Sequence, residues 1–376
     1  MAVVPKLTNG VGFGSTEFHV MRPRPSVEPR YVYHFVSNMS FRREAAHHMT
    51  GAVGQKRVPT SFLEEALIPV PPFDQQQLIV AEIEKQFSRL DEAVVNLKRV
   101  KSNLKRYKAA VLKAAVEGKL TEDWRKQHPN VEPANKLLER TLAEPSAKRN
   151  SSSLGSLDCS RFCKLPPTWC WSRIEDIGEI QLGRQRAPKY HSGRNMRPYL
   201  RVQNVFEDRI DLEDVMEMDF PPADFEKFRL APGDVLLNEG QSPELLGRPA
   251  IYRGEMPGAC FTNTLIRFRV NALMKPNYPF LVFRTYMRNR RFTKEGTITT
   301  NIAHLSAGRF AKIEFPLPPL QEQEFIVAEV ERRLSVVEEL EATVEANLTR
   351  ADRLRQSILS QAFSGQLVTA KNSCVS

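Results

Sequence analysis

The chain has 376 residues, enough for two or three domains that each bury a core. It is 41% hydrophobic and 26% charged, with a formal net charge of +10. That balance favours an acidic partner such as nucleic acid and gives no apolar run of the length a membrane span needs. The amino-terminal segment MAVVPKLTNGVGFG lacks the pattern of a signal peptide, and five unevenly spread cysteines do not make a disulfide framework. A cytoplasmic protein with reduced thiols is the expectation. Cys159, Cys163 and Cys170 lack the histidine or second pair that a zinc site would need.

In chain order, residues 14–23 read as a strand and 30–49 as a helix, followed by QKRVPTSFLEEALIPVPP as the exit into a long helix. IPVPPFDQQQLIVAEIEKQF at 68–87 then returns as FPLPPLQEQEFIVAEVERRL at 315–334. Laying 68–120 on 315–367 needs no gap, and sixteen of the 53 positions are identical. Each copy predicts an extended prolyl approach, since the residue before a proline avoids the helical region. Asp74 or Gln321 opens a long helix, and Gly118 or Gly365 stops it.

Ile83, Leu90, Leu97, Leu104 and Val111 are spaced by seven in the first copy. Val330, Val337, Val344, Ala351 and Ile358 repeat that spacing in the second. Heptads sustained this far signal a coiled coil. Residues 85–126 carry 12 Lys/Arg against 5 Asp/Glu, while 322–367 carry 5 Arg against 9 Asp/Glu. A basic helix beside an acidic one predicts an antiparallel intramolecular pair, with Lys101 opposite Glu341.

Residues 121–163 read as a linker, with three prolines and SSSLGS at 151–156. From LPPTWCWSRIEDIGEI onward, one mixed domain is expected over 164–318. Its strands are predicted at 198–205, 233–240, 248–254 and 263–270, and its helix at 278–292. The segment GRQRAPKYHSGRNMRPYLR carries Arg184, Arg186, Lys189, Arg194, Arg197 and Arg201 with no acid, together with Tyr190 and Asn195. Cations, amides and aromatics on a glycine-punctuated loop suit phosphate contact and base reading. Arg284, Arg288, Arg290, Arg291 and Lys294 form a second basic cluster. Asn204, Gln241, Ser242, Asn301, Lys56 and Arg57 complete the candidate DNA-binding set. The order of strand, helix, loop and prolyl run extends the repeat upstream of the helices, with different loop lengths expected.

No phosphate loop, methyltransferase motif or carboxylate cluster for metal-dependent cleavage is present in the sequence. Glu117-Gly-Lys119 is matched by Ser364-Gly-Gln366 in the repeat and so reads as a helix end. Asp224-Phe-Glu226-Lys227 reads as an acidic turn, and His47 and His48 lack a nucleophile partner.

The two IPVPP/FPLPP junctions, the helices ending in Gly-Lys-Leu and Gly-Gln-Leu, LPPTWCWSRIEDIG, PYLRVQNV and GDVLLNEGQSPELLGRPAIYRG together resemble the specificity subunit of type I restriction-modification enzymes. The resemblance implies an α+β chain of mixed α/β target-recognition domains joined by two long helices that pair as an antiparallel coiled coil. The implied layout is 1–73 for the back half of a first recognition domain, 74–120 and 319–367 for the spacer helices, and 368–376 for a tail. Nothing ahead of the first helix matches 165–260, so the chain is expected to begin midway through its first recognition domain. The resemblance further implies recognition of a bipartite site in double-stranded DNA, without catalysis by this chain and without a membrane. It implies docking to modification (methyltransferase) and restriction (endonuclease/translocase) subunits. S-adenosylmethionine, ATP and Mg would belong to those partners. A truncated or inactive coiled-coil scaffold and a chain with its own nuclease or methyltransferase activity are the alternatives.

Overall fold

The computed structural model describes residues 1–4, 7–15, 18–51, 56–143, 163–299 and 301–368. SSSLGS, Cys159 and nearly all of the expected tail lie outside these. The chain divides into two compact units, one of Met1–Leu104 with Glu338–Ser376 and one of Lys105–Val337.

The first unit opens without a strand among the described residues of 14–23. The helix expected over 30–49 is two helices, α1 (Pro29–Ser37) and α2 (Met39–His47). Asn38 sits between them in extended conformation and accepts from the Ser40 N–H, as an N-cap does. After α3 (Thr60–Glu65) comes α4 (Phe73–Val116), whose first part belongs here. Tyr31, Ile79, Val80 and Ile83 form a core with Leu359 and Ala362. The two long helices run antiparallel within this unit. Arg355 pairs with Asp91, and Lys101 Nζ lies 2.6 Å from Glu345 Oε2. Lys101 therefore meets Glu345, one helical turn beyond the expected Glu341, because the apolar contacts of Tyr31 and Ile83 with the far end of the second helix set the register.

In the second unit, the expected linker is partly helical: α5 (Glu122–Gln127) and α6 (Ala134–Ala143) fold onto the core, with Ala134 and Leu137 buried. Next come β1 (Cys170–Arg173), α7 (Ile174–Ile177), β2 (Gly178–Leu182), β3 (Met196–Leu200), β4 (Val205–Phe206), β5 (Arg209–Ile210) and β6 (Met216–Asp219). They are followed by α8 (Pro222–Phe228), β7 (Val235–Asn238), β8 (Gly240–Gln241), β9 (Pro249–Ile251), β10 (Cys260–Phe261) and β11 (Leu265–Val270). The unit closes with α9 (Asn277–Arg288), α10 (Arg291–Glu295), β12 (Thr297–Thr299), β13 (Ile302–His304), α11 (Ala307–Ala311), β14 (Glu314–Leu317) and α12 (Leu320–Phe363). The helix expected over 278–292 ends at Arg288, because Arg290 takes a left-handed conformation that no helix can continue through.

The main sheet has the order β2-β11-β7-β9 and is antiparallel throughout. Its inner face packs on α9, where Phe283 meets Phe268 edge-on at 5.1 Å. A second sheet, β10-β3-β6, covers a separate core built on Tyr199, Phe220, Phe228 and Phe261. A small sheet, β12-β13-β8, carries the hairpin 297–304. No helix is long and apolar enough among the described residues to cross a membrane.

The two long helices have 44 residues each, at the same shift of 247 positions found in the sequence. That shift continues upstream without change, contrary to the loop-length differences expected. Thr50 bridges Arg57 just as Thr297 pairs with His304. Tyr31 donates to the Pro69 carbonyl at 2.7 Å, and Tyr278 to that of Pro316 at 2.9 Å. Gln76 donates to the Pro71 carbonyl at 2.8 Å, and Gln323 to that of Pro318 at 2.9 Å. A prolyl run offers carbonyls but few N–H groups, and its buried carbonyls need outside donors. Tyrosine and glutamine supply them in both copies. Gly118 and Gly365 both hold positive φ, and the next N–H returns to Ala114 or Gln361 at 2.9 Å, which closes each helix end.

Candidate nucleic-acid interface

The basic segment begins where β2 runs out. Gly183 passes so close to Thr262 that a Cβ would stand 2.2 Å from the Thr262 carbonyl oxygen, so a side chain there would displace the backbone. This close approach turns the chain at Arg184, whose side chain points inward. Its guanidinium lies 2.8 Å from the Asp224 carboxylate, donates to the Asp219 carbonyl and is held between Tyr190, at 3.8 Å, and Phe220, at 5.0 Å. Asp219 also accepts from the Asn195 N–H at 2.8 Å, and a Cβ on Gly193 would fall 2.3 Å from that carboxylate. The loop between 184 and 195 is thus tied down at both ends.

The cations of the segment divide into two kinds. Arg184 is buried, and Arg201 pairs with Asp214 at 2.7 Å. Asn204 is also buried. Its carbonyl accepts from the Arg201 N–H, and its amide donates to the Asp211 and Asp214 carbonyls, each at 3.0 Å. These three side chains build the scaffold. Arg186, Lys189, Arg194 and Arg197 are exposed, with no carboxylate partner among the described residues. Three of them lie over aromatic rings: Arg186 on Tyr199 at 5.7 Å, Lys189 on Tyr190 at 5.0 Å and Arg197 on Phe225 at 4.6 Å. Aromatic faces hold cations in place without neutralising them.

The second basic cluster is largely neutralised within the fold. Arg284 and Arg288 share Glu207, at 2.5 and 2.7 Å. Burial pushes the Glu207 carboxyl up, but the two guanidiniums outweigh it and hold the group below the usual carboxylate range. Arg290 meets Glu244 at 3.2 Å, and Arg291 bridges Glu314 at 2.5 Å and Glu295 at 2.8 Å. Only Lys294 of that cluster stays exposed with no acid partner among the described residues.

The turn Thr262–Leu265, where a strand over 263–270 is expected to begin, gathers the remaining candidates. The Asn263 N–H donates to the Arg184 carbonyl at 3.0 Å, and the Val202 N–H donates to the Thr264 hydroxyl at 3.1 Å. The Glu239 N–H donates to the Thr264 carbonyl at 3.0 Å. Glu239 leads into β8, where Gln241 pairs with Ala303 of β13, and Ser242 follows. Asn301 is exposed at the hairpin turn. Backbone hydrogen bonds thus link the 184–201 loop, through this turn and Glu239, to the strand that carries Gln241 and, by its pairing with β13, to the hairpin that carries Asn301. Lys56 and Arg57 belong to the first unit, where both are exposed and Arg57 bridges Thr50. The signal for the missed hub is the polar triplet Thr262-Asn263-Thr264 set between Cys-Phe and Leu-Ile-Arg-Phe, which breaks an otherwise apolar run.

Among the described residues, no group of three His, Cys, Asp or Glu side chains could hold a metal ion. Burial pushes the Cys260 thiol up to about 12, so it is a packing residue and a poor nucleophile. Lys119 closes on Glu117 at 2.7 Å beside the Gly118 helix stop, as a helix end.

Residues 166–350 match the family described as the type I restriction modification DNA specificity domain. Those residues carry a type I restriction modification DNA specificity domain, and nearly the whole chain is similar to specificity subunits of type I restriction enzymes. It is 25% identical over 350 residues to the EcoKI specificity subunit of Escherichia coli strain K12, covering 93% of this chain and 68% of that one. It is 26% identical over 357 residues to the StySPI specificity subunit of Salmonella potsdam, covering 92% and 67%. The chain thus spans about two thirds of the length of these curated relatives. Its fold is similar to that of the HsdS subunit from Thermoanaerobacter tengcongensis, with a TM-score of 0.52 and 18% identity over 91% of this chain and 71% of that one. It is also similar to a chain from a structure of type I R-M complex assembly, with a TM-score of 0.62 and 19% identity over 91% and 72%.

Proposed function

We propose that this specificity subunit reads a bipartite site in double-stranded DNA and carries no chemistry of its own. The observation that carries the reading is the anchored loop with Arg186, Lys189, Arg194 and Arg197, four exposed cations without acid partners among the described residues, hydrogen-bonded through Arg184 to the turn that carries Asn263. Free cations attract phosphates, while amides and hydroxyls discriminate base edges. The repeated junction, with the matching pairs Thr50–Arg57 and Thr297–His304, supports two reading units, one for each half of the site. The sequences spanning these pairs differ, TGAVGQKR against TITTNIAH, as unlike half-sites would require.

On this reading the chain docks modification subunits, which bring S-adenosylmethionine, and restriction subunits, which bring ATP and Mg. The test is to co-express the full chain with its modification subunit and map methylated adenines. A split motif is expected. Methylation by this chain without the partner, or methylation without a motif, overturns the proposal.

A further inference from the structure

We propose that Asn263 is a base-reading side chain whose amide pairs with the N6 and N7 edge of an adenine in the major groove. The inference rests on the DNA-reading function above and assigns a specificity residue within it.

Asn263 sits at the first corner of a β-turn closed by the Leu265 N–H on the Thr262 carbonyl at 2.9 Å. Three neighbours clamp this turn. The Arg184 carbonyl accepts from the Asn263 N–H, the Thr264 hydroxyl accepts from Val202, and the Thr264 carbonyl accepts from Glu239. The Thr262 hydroxyl lies 3.2 Å from that of Thr264 and 3.3 Å from the Leu200 carbonyl. The flanking threonines therefore spend their polar groups on the fold.

The Asn263 side chain does not. It is half-exposed, and its amide has no hydrogen-bond partner among the described residues. Asparagine at a turn commonly bonds its own backbone, and that use is absent here. Asn204 shows the contrast, since its amide is fully engaged and buried. A free amide on a backbone fixed at three points is pre-positioned, and one donor beside one acceptor matches the N6 donor and N7 acceptor of adenine. Arg186 and Arg197, on the loop that leaves Arg184, supply phosphate contacts to hold the register.

The test enriches bound duplexes from a randomised pool, using the full chain in complex with its modification subunit, and compares the unaltered protein with Asn263→Ala and Asn263→Asp. The unaltered protein should enrich a motif containing an adenine whose selectivity falls roughly 10- to 100-fold in Asn263→Ala, with the other positions unchanged. The salt dependence of binding should stay the same, because no phosphate contact is lost. Asn263→Asp leaves only acceptors and should turn the preference at that position toward cytosine. If Asn263→Ala does not fold, Asn263→Asp, whose side chain keeps turn chemistry, decides the matter. A folded variant that enriches the unaltered motif overturns the assignment and leaves the DNA-reading function standing. Failure of the unaltered complex to enrich any motif overturns both.

Discussion

At the start of the first long helix, Gln75 is exposed, while 247 positions later Glu322 is fully buried at the start of the second. The two junctions otherwise share their framework of Tyr31 or Tyr278, Gln76 or Gln323 and a terminal glycine. The difference lies in what covers them. In the second unit the chain leaving α4 turns at Gly118 and sends Thr121 and Arg125 onto Glu322, each at 2.6 Å, while the Trp169 ring N–H donates to it at 2.8 Å. In the first unit the chain leaving α12 covers the junction with Leu367 and Val368, which are apolar. The repeat thus conserves the hydrogen bonds that satisfy prolyl carbonyls and leaves the covering chemistry free to vary.

That comparison breaks most visibly at Glu322. Replacing it with alanine leaves Arg125 without its partner in a buried setting, and a cost of about 3–5 kcal/mol is expected. Gln75→Ala, at the matching position, should stay within about 0.5 kcal/mol. Two units need not unfold together, so hydrogen exchange resolved by unit is the measurement. Equal protection loss in the two variants would show that the tail of the first helix does not clasp the second junction.

The glutamines come next. Gln76 donates to Pro71 and Ser26 and accepts from the Glu28 N–H, whereas Gln323 shows the single bond to Pro318. Gln76→Ala should therefore cost about 2 kcal/mol and Gln323→Ala about 1 kcal/mol by the same exchange measurement. Tyr31→Phe and Tyr278→Phe each remove one hydroxyl from one prolyl carbonyl. Similar losses of about 1 kcal/mol are expected, and a large inequality would mean that the two bonds are not equivalent.

How much of this was legible in the sequence follows from where the partners lie. The prolines, Gln76, Gln323 and the glycine stops are local signals, and they marked both junctions and both helices to within a few residues. The pairing of Thr50 with Arg57 was not recognisable as the counterpart of Thr297 with His304, because a β-bridge constrains backbone and tolerates almost any side chain. The helix α6 was hidden because its buried positions, Ala134, Leu137 and Thr141, make a short stripe between prolines. Cations can be counted in a sequence, but their partners are distant: Asp224 is 40 residues from Arg184, and Glu207 is 77 from Arg284. Hence the segment 184–201 contained two structural arginines that composition could not separate from the four cations left without acid partners among the described residues. On DNA, Arg186→Ala should lower the slope of log affinity against log salt by about 1, uniformly across sequences.

The smallest expected effect concerns a position where the two cores differ in kind. His34 occupies the place of Leu281, 247 positions on, and both are buried. Its ring sits edge-on to Phe87 at 5.8 Å, and its Nε2 lies 3.9 Å from Glu84, too far for a hydrogen bond. Burial lowers the imidazole pKa, Glu84 opposes that shift, and Arg30 and Arg355 add to it. The folded state therefore binds the proton less readily than the unfolded chain does. Stability from neutral His34 is present above the unfolded value near 6.5 and is lost as pH falls through the folded value. The first unit should lose exchange protection on acidification from pH 7 to pH 5, and His34→Leu should flatten that dependence by giving the first core the side chain the second already has. An unchanged pH dependence in His34→Leu would place the acid sensitivity elsewhere.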